Sequence, residues 1–202
     1  MHINNKNLSK KILTWYDNNR RTLPWRISQK SKKEQYFRIL SEFMLQQTQV
    51  KTVIPYFNNF VKKIPNLKAL SSSNEKKVLK LWEGLGYYNR AKNLHRTSKI
   101  LIKEHDGHIP EDYKKLKELP GIGDYTANIL LALIYNQPRI AIDGNVKRFL
   151  SRLFDTTPED KTSFFKTKRN NDLAEALVEF GALVCKPKNP KCEKCIFNKV
   201  CS

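Results

Sequence analysis

Leu119-Pro120-Gly121-Ile122-Gly123-Asp124-Tyr125-Thr126-Ala127 is the stretch from which the fold is read. Gly121 and Gly123 lack a Cβ, so the backbone there can take positive φ and approach another chain closely. Leu119-Pro120 leads into the turn, and Tyr125 to Tyr135 behind it is strongly helical in pattern. Taken alone, Gly-x-Gly describes any tight turn between helices. With a helix expected on each side, the stretch reads as two helices joined by a short hairpin. The second helix points its unbonded N–H groups and the positive end of its dipole over the turn, which suits a phosphate.

The rest of the chain repeats the helical pattern. Leu8, Ile12, Leu13 and Trp15 predict a first helix that must stop by Leu23-Pro24. Gln35 to Gln49 carries Phe37, Leu40, Phe43 and Met44 on one stripe. Val53, Tyr56, Phe57 and Phe60 follow, up to the breaker Ile64-Pro65. Ser72, Ser73 and Asn74 precede Val78, Leu79 and Trp82 as a cap precedes a helix. Further helices are expected over Ala91 to His105, after Asp143 through Val146, Phe149, Leu150 and Leu153, and over Leu173 to Val184. The last is nearly apolar all round and should be buried. Strand alternation is almost absent, so the expected class is all-α. Lys161 to Asn171 is polar, basic and poorly periodic, and reads as a loop.

Composition narrows the function. The 202 residues carry 38 Lys and Arg against 19 Asp and Glu, a net charge of +19. A balance this skewed points to a polyanion, because basic side chains that neutralise phosphates release condensed counterions. The longest plain aliphatic run, Ile129 to Ile134, is six residues, far short of the ~20 that cross a bilayer. The start, MHINNKNLSKK, has no apolar stretch before its lysines and does not read as a secretory signal. The expectation is an intracellular, cytoplasmic protein without a membrane partner.

All four cysteines lie in the last 18 residues, as Cys185, Cys192, Cys195 and Cys201 in the pattern C-x6-C-x2-C-x5-C. Without a secretory context, disulfides are not expected. Four thiolates in one short loop can enclose a zinc ion or a cubane iron–sulfur cluster. Zinc sites usually show two short pairs, whereas here one pair is flanked by two single cysteines. Spacing alone leaves both open. Lys186, Lys188, Lys191, Lys194 and Lys199 make the same loop a basic surface.

Two carboxylates stand out. Glu42, in Ser41-Glu42-Phe43-Met44-Leu45-Gln46-Gln47-Thr48, has Ile39 and Leu45 as its i−3 and i+3 neighbours, beside the apolar stripe. On an open surface it is an ordinary solvated glutamate. In a closed pocket, desolvation makes such a carboxyl a general acid. Gln46 and Gln47 place amides near the same helical face. Asp143, in Ile142-Asp143-Gly144-Asn145-Val146, reads first as a helix N-cap. A carboxylate there can also face a developing cation, and one acid with one ionised carboxylate is the pair that glycosidic bond cleavage requires.

Leu-Pro-Trp-Arg (23–26), SEFMLQQTQV (41–50), VIPYF (53–57), WEGLGYYNRAKNLH (82–95), LPGIGDYTA (119–127), AIDGNVKR (141–148), FGALVC (180–185) and the cysteine loop together resemble the endonuclease III superfamily of helix–hairpin–helix DNA glycosylases. MLQQTQV and GLGYY are most similar to its adenine-specific mismatch branch. The resemblance spans nearly the whole chain. It implies a six-helix domain over 27–137, an iron–sulfur domain formed by 1–26 and 138–202, and a [4Fe–4S] cluster on Cys185, Cys192, Cys195 and Cys201.

Roles follow from the same resemblance. Glu42 would protonate N7 of an adenine flipped out of double-stranded DNA. Asp143 would stabilise the oxocarbenium-like sugar, with Asn145 and Tyr125 positioning the reacting groups. Tyr125 stands where bifunctional relatives carry a Schiff-base lysine, so no lyase step is expected. Arg26, Gln46, Gln47, Thr48, Gly86, Tyr87, Tyr88, Gly121, Gly123 and Thr126 would contact DNA, with Gln47 and Tyr87 probing the opposite strand and a tyrosine wedging into the stack. The implied substrate is adenine opposite 8-oxoguanine or guanine, acted on by a monomer at the nucleoid. A thymine or uracil mismatch glycosylase and a non-catalytic DNA-binding paralogue are the alternatives. Two departures stand against the family pattern. Its full-length members carry a further 8-oxoguanine-recognition domain, and this sequence stops at the cluster. The stretch from Arg152 to Asp172 is also shorter than the family leads one to expect.

Overall fold

A computed structural model describes residues 5–27, 31–155 and 163–201, and every regular element among them is helical. The helices are α1 (Asn5–Asn19), α2 (Lys32–Leu45), α3 (Val50–Lys63), α4 (Leu67–Ser71), α5 (Glu75–Trp82), α6 (Asn89–Glu104), α7 (Tyr113–Glu118), α8 (Asp124–Tyr135), α9 (Gly144–Phe154) and α10 (Asn170–Leu183). Their starts follow local chemistry. Ser31 accepts from Glu34 N, Asn66 from Ala69 N, Asn74 from Lys76 N and Asp112 from Lys115 N. Each satisfies one of the orphan donors of a first turn, which is worth about 1 kcal/mol.

The chain divides into two compact units, one of Thr22–Leu130 and one of Met1–Arg21 with Leu131–Ser202. In the first, α2 packs on α3 and α6, and α5 packs on α3 and α6. Its core is aromatic. Phe57 meets Trp25 and Phe37 edge-on at 5.3 and 5.2 Å, and Phe60 meets Trp82 at 6.1 Å. Burying each such ring contributes about 1.5–3 kcal/mol. Pro55 lies inside α3 without ending it, because Val53, Phe57 and Phe60 on its inner stripe are fully buried.

In the second unit α10 packs on α1 and α9. Leu8, Ile12, Leu13 and Tyr16 of α1 share a buried cluster with Leu173, Ala176, Leu177 and Phe180 of α10. Phe180 takes Trp15, Phe149 and Phe197 around its ring at 4.9, 5.0 and 5.4 Å. Arg21 clasps both carboxylate oxygens of buried Glu179 at 3.0 and 2.9 Å. Arg169 joins Asp17 to Asp172 and holds the Asp17 carboxyl below its ordinary range by hydrogen bonding.

Several boundaries differ from the sequence reading. The helix expected through Gln49 ends at Leu45, and α4, too short to show a period, was not expected. The stretch read as a loop from Lys161 gives way to α10 at Asn170, one turn earlier than its apolar run begins. Asn136 fixes that start, bonding Lys168 O, Asn170 and Asn171. The expectation of a shortened segment between Arg152 and Asp172 falls in part on 156–162, outside the described residues.

Candidate active site and nucleic-acid interface

The hairpin lies between α7 and α8 within the Thr22–Leu130 unit. Gly121 has φ +80°, and a Cβ there would stand 2.7 Å from a Phe43 ring carbon and 2.9 Å from Asn93 Cβ. Both the backbone angle and the close approach to α2 and α6 therefore demand glycine. Gly123 has open space around it instead, so neither a left-handed angle nor an internal contact explains it. The turn is held by Thr97 Oγ1, which donates to Pro120 O at 2.9 Å, and by Gln46 Nε2, which donates to Gly121 O at 3.2 Å. Asp124, in the first turn of α8, takes hydrogen bonds from Lys117 and Tyr113 that hold its carboxyl below the usual range. Thr126 is buried, and Tyr125 is half-buried on the same turn.

Glu42 sits near the C-terminal end of α2, half-buried between Ser41 and Phe43, which are both fully buried. Gln46 and Gln47 do not continue its helix, which corrects the expectation that they lie on the same helical face. Gln46 is the C-cap, and Gln47 turns into the left-handed region at φ 55°. They line a cleft of about 660 Å³ with Tyr87, Tyr88, Asn89 and Arg90. Tyr87 is 62% exposed and Tyr88 43%, whereas the other described aromatic side chains are buried or half-buried. Gly86 has φ +77° with nothing near its would-be Cβ, and Tyr87 is left-handed at φ 49°. Thr48 is half-buried beside this cleft, and Arg26 closes a turn by donating its N–H to Leu23 O at 3.0 Å.

Asp143 belongs to the other unit, at the start of α9. One carboxylate oxygen caps the helix by accepting from Val146 N at 2.7 Å, and the other accepts from Asn145 Nδ2 at 2.8 Å. The cap and the candidate catalytic group are thus the same side chain. Asn145 Oδ1 in turn accepts from Arg148 Nη2 at 3.0 Å, and that guanidinium also reaches Gly181 O and Cys185 O, each at 2.8 Å. Gly181 lets α10 come this close, since a Cβ there would stand 2.6 Å from Asn145 O.

The four cysteines are free thiols on the loop after α10. The loop is anchored by Phe197, 1% exposed within the Phe149–Phe180 cluster. Burial pushes the Cys195 thiol up, and the nearby Cys201, Cys185 and Cys192 push it further, while the Phe197 N–H pulls the other way from 3.4 Å. Arg152 Nη1 approaches Cys185 Sγ at 3.6 Å and donates to Lys186 O at 2.8 Å. Among the described residues, no three His, Cys, Asp or Glu side chains converge as ligands of a single metal ion.

Three residues escaped the sequence reading: Arg90, Arg148 and Phe197. Each was visible only as one more basic or apolar residue inside a longer motif. What marks them is long-range: the Arg90 and Arg148 guanidinium groups bond carbonyls far away in the chain, and the Phe197 ring packs on Phe149 and Phe180.

Residues 40–174 match the family model of the HhH-GPD superfamily base excision DNA repair proteins. The chain is 42% identical to the adenine DNA glycosylase of Buchnera aphidicola subsp. Baizongia pistaciae, over 94% of its own length and 56% of that protein's. It is 34% identical to the adenine DNA glycosylase of Homo sapiens, over 94% of its length and 38% of that protein's. The chain thus spans about half, or less, of the length of these curated relatives. Among solved structures, a thermostable thymine-DNA glycosylase superposes with a TM-score of 0.85 at 25% identity, covering 98% of this chain and 95% of that one. Endonuclease III in a non-covalent DNA complex gives 0.79 at 19% identity, over 100% and 96%. With an all-helical architecture, a hairpin between α7 and α8 and a family match across two thirds of its residues, the chain belongs to the HhH-GPD superfamily of base excision DNA repair proteins.

Proposed function

We propose that the chain is a monofunctional DNA glycosylase that removes adenine mispaired with 8-oxoguanine or guanine. The observation that carries the base assignment is the 42% identity to a named adenine DNA glycosylase across 94% of this chain. The target atom is hidden in the duplex, so the nucleotide must first be flipped out, which costs a few kcal/mol of unstacking. The exposed Tyr87 and Tyr88, beside Gln46 and Gln47 in one cleft, supply groups to fill the vacated stack. Gly121, Gly123 and the N–H groups opening α8 bind the phosphate backbone, with Thr126 packed beneath and Thr48 and Arg26 adding contacts.

Chemistry divides between the two carboxyls. Glu42 donates its proton to N7 of the flipped adenine as the C1′–N9 bond breaks, so the bonding pair leaves on a neutral base. Asp143, held at both oxygens by Val146 N and Asn145 Nδ2, faces the positive charge that grows on the sugar. Water adds to C1′ and gives its proton to the basic group left on the enzyme. Tyr125 cannot form a Schiff base, so the reaction stops at the abasic site.

The Met1–Arg21 and Leu131–Ser202 unit is the cluster domain in this reading, and the thiols of Cys185, Cys192, Cys195 and Cys201 would hold a [4Fe–4S] cluster. The donor set is of the right kind: four thiols share one loop, burial and the neighbouring cysteines push the Cys195 and Cys201 thiols up, and the Phe197 N–H is directed at Cys195 Sγ. The cluster, when bound, supplies structure rather than a reacting atom, because four protein ligands fill its four irons. The enzyme acts as a monomer on nucleoid DNA.

A second reading is favoured by one observation, the 0.85 TM-score with a thymine-DNA glycosylase that the chain covers almost fully. Single-turnover assays on duplexes holding A opposite 8-oxoguanine, T opposite G and U opposite G separate the two. Excision of adenine alone is expected. Release of thymine or uracil faster than adenine would replace the adenine reading.

A further inference from the structure

Arg90, in the first turn of α6, is 7% exposed, yet its guanidinium is spent on backbone that lies elsewhere in the chain. Nη1 donates to Met44 O at 2.7 Å, to Phe43 O at 3.3 Å, to Gln46 O and to Thr48 Oγ1 at 3.0 Å. Nη2 donates to Gly86 O at 3.0 Å and Leu85 O at 3.3 Å, and Nε to Tyr87 O at 3.4 Å. The guanidinium carbon also lies over the Trp82 and Tyr87 rings, 5.5 and 5.4 Å from their centroids. A buried cation is costly, and an apolar side chain would fill the same space more cheaply. What an apolar filler cannot do is bond two loops at once.

Those loops hold the two non-glycine residues of the cleft with positive φ, Gln47 at 55° and Tyr87 at 49°. Neither conformation is comfortable for a residue with a long or aromatic side chain, and it persists only where the surroundings enforce it. The carbonyls of Gln46, Gly86 and Tyr87, which flank the strained bonds, all accept from Arg90. We propose that Arg90 is a positioning residue that locks residues 46–48 and 85–87 together and so presents Gln47 and the Tyr87–Tyr88 pair to the base stack in the pose that insertion requires. The assignment deepens the base-excision reading and rests on it. Lysine cannot replace Arg90, because one ammonium lacks the fork that reaches both loops.

The test uses the full chain carrying Glu42→Gln, so that no base is lost, on an A:8-oxoguanine duplex with 2-aminopurine beside the adenine. Fluorescence then reads unstacking, and anisotropy reads affinity. The Glu42→Gln chain should bind and brighten the probe. Adding Arg90→Lys should leave Kd within about threefold, since phosphate contacts dominate affinity, but should abolish most of the brightening. Arg90→Lys alone should slow single-turnover excision by about tenfold or more, the scale of one or two lost charge-assisted hydrogen bonds. Full brightening with Arg90→Lys overturns the assignment. If Arg90→Lys shows no cooperative melt, Thr48→Val, which deletes one acceptor of the guanidinium, should dim the probe at saturating protein, where any change in Kd no longer matters, and full brightening at saturation overturns it equally. If the wild-type chain releases no base from any duplex and the Glu42→Gln chain gives no brightening, the base-excision reading falls and this assignment falls with it.

Discussion

In the proposed reaction Asp143 joins a catalytic task to the helix cap it forms on Val146 N, and substitution can separate the two. Asparagine caps a helix nearly as well as aspartate, so Asp143→Asn should keep its thermal midpoint while excision falls by at least ~100-fold, because the charge that faces the sugar is gone. A fall in stability matching the fall in rate would mean that the residue is only a cap. Asn145→Ala removes the donor 2.8 Å from the second carboxylate oxygen. The expected cost is about 1.5–3 kcal/mol of transition-state stabilisation, or about 10–100-fold in single-turnover rate. Tyr125 carries the third test at this scale. Borohydride should trap almost no covalent protein–DNA adduct, and strong trapping would show that one of the many lysines forms a Schiff base. These residues were legible because short motifs carried them. Arg148, which orients Asn145 through its Oδ1, was not, since the Gly181 and Cys185 carbonyls it also holds lie on α10 and the cysteine loop, far along the chain.

Helices were legible wherever an apolar stripe ran for two turns or more. Val78 and Trp82 after Asn74 gave α5 with its cap, and Val146, Phe149, Leu150 and Leu153 gave α9. The end of α2 was not legible, because nothing local stops it at Leu45. Arg90 takes the carbonyls of Phe43, Met44 and Gln46 from a distant helix, and the chain turns away there. Where α9 meets α10, Gly181 was quoted in a motif without a reason. Its reason is the Asn145 backbone 2.6 Å from its absent Cβ. Gly181→Ala should therefore cost about 1–3 kcal/mol of stability through overpacking and slow excision by shifting Asn145. A variant with wild-type melting and rate would contradict that packing. His95 of α6 is buried, and desolvation holds its imidazole below the ordinary histidine range, with Lys99 acting in the same direction. The folded chain thus binds this proton less readily than the unfolded chain does. Its contribution is complete above pH ~6.5 and is lost as pH falls toward the lowered folded value. Urea midpoints should drop between pH 7.5 and 5.5, and His95→Gln should flatten that drop.

The net charge of +19 made a polyanion partner legible before any motif was read. The division of the chain was harder to see, because Met1–Arg21 joins residues 131 onward through α1 and α10, a pairing of the two ends that no local pattern announces. Binding to duplex DNA should weaken steeply with salt, with a slope of log K against log salt of about −4 to −8 if ~5–9 phosphates are neutralised. Anaerobically purified protein should be yellow-brown with about four irons per chain, as one cubane on four thiolates requires, whereas colourless protein with stoichiometric zinc would contradict the cluster. The central claim is that this fold delivers an adenine to Glu42 for protonation, and one comparison reaches it most directly. Single-turnover adenine release from an A:8-oxoguanine duplex is measured for the wild-type and Glu42→Gln chains, with Kd for the same duplex measured alongside. The account predicts release by the wild type, none by Glu42→Gln, and Kd values that agree within a few-fold. Near wild-type release by Glu42→Gln would place the acid elsewhere and contradict it.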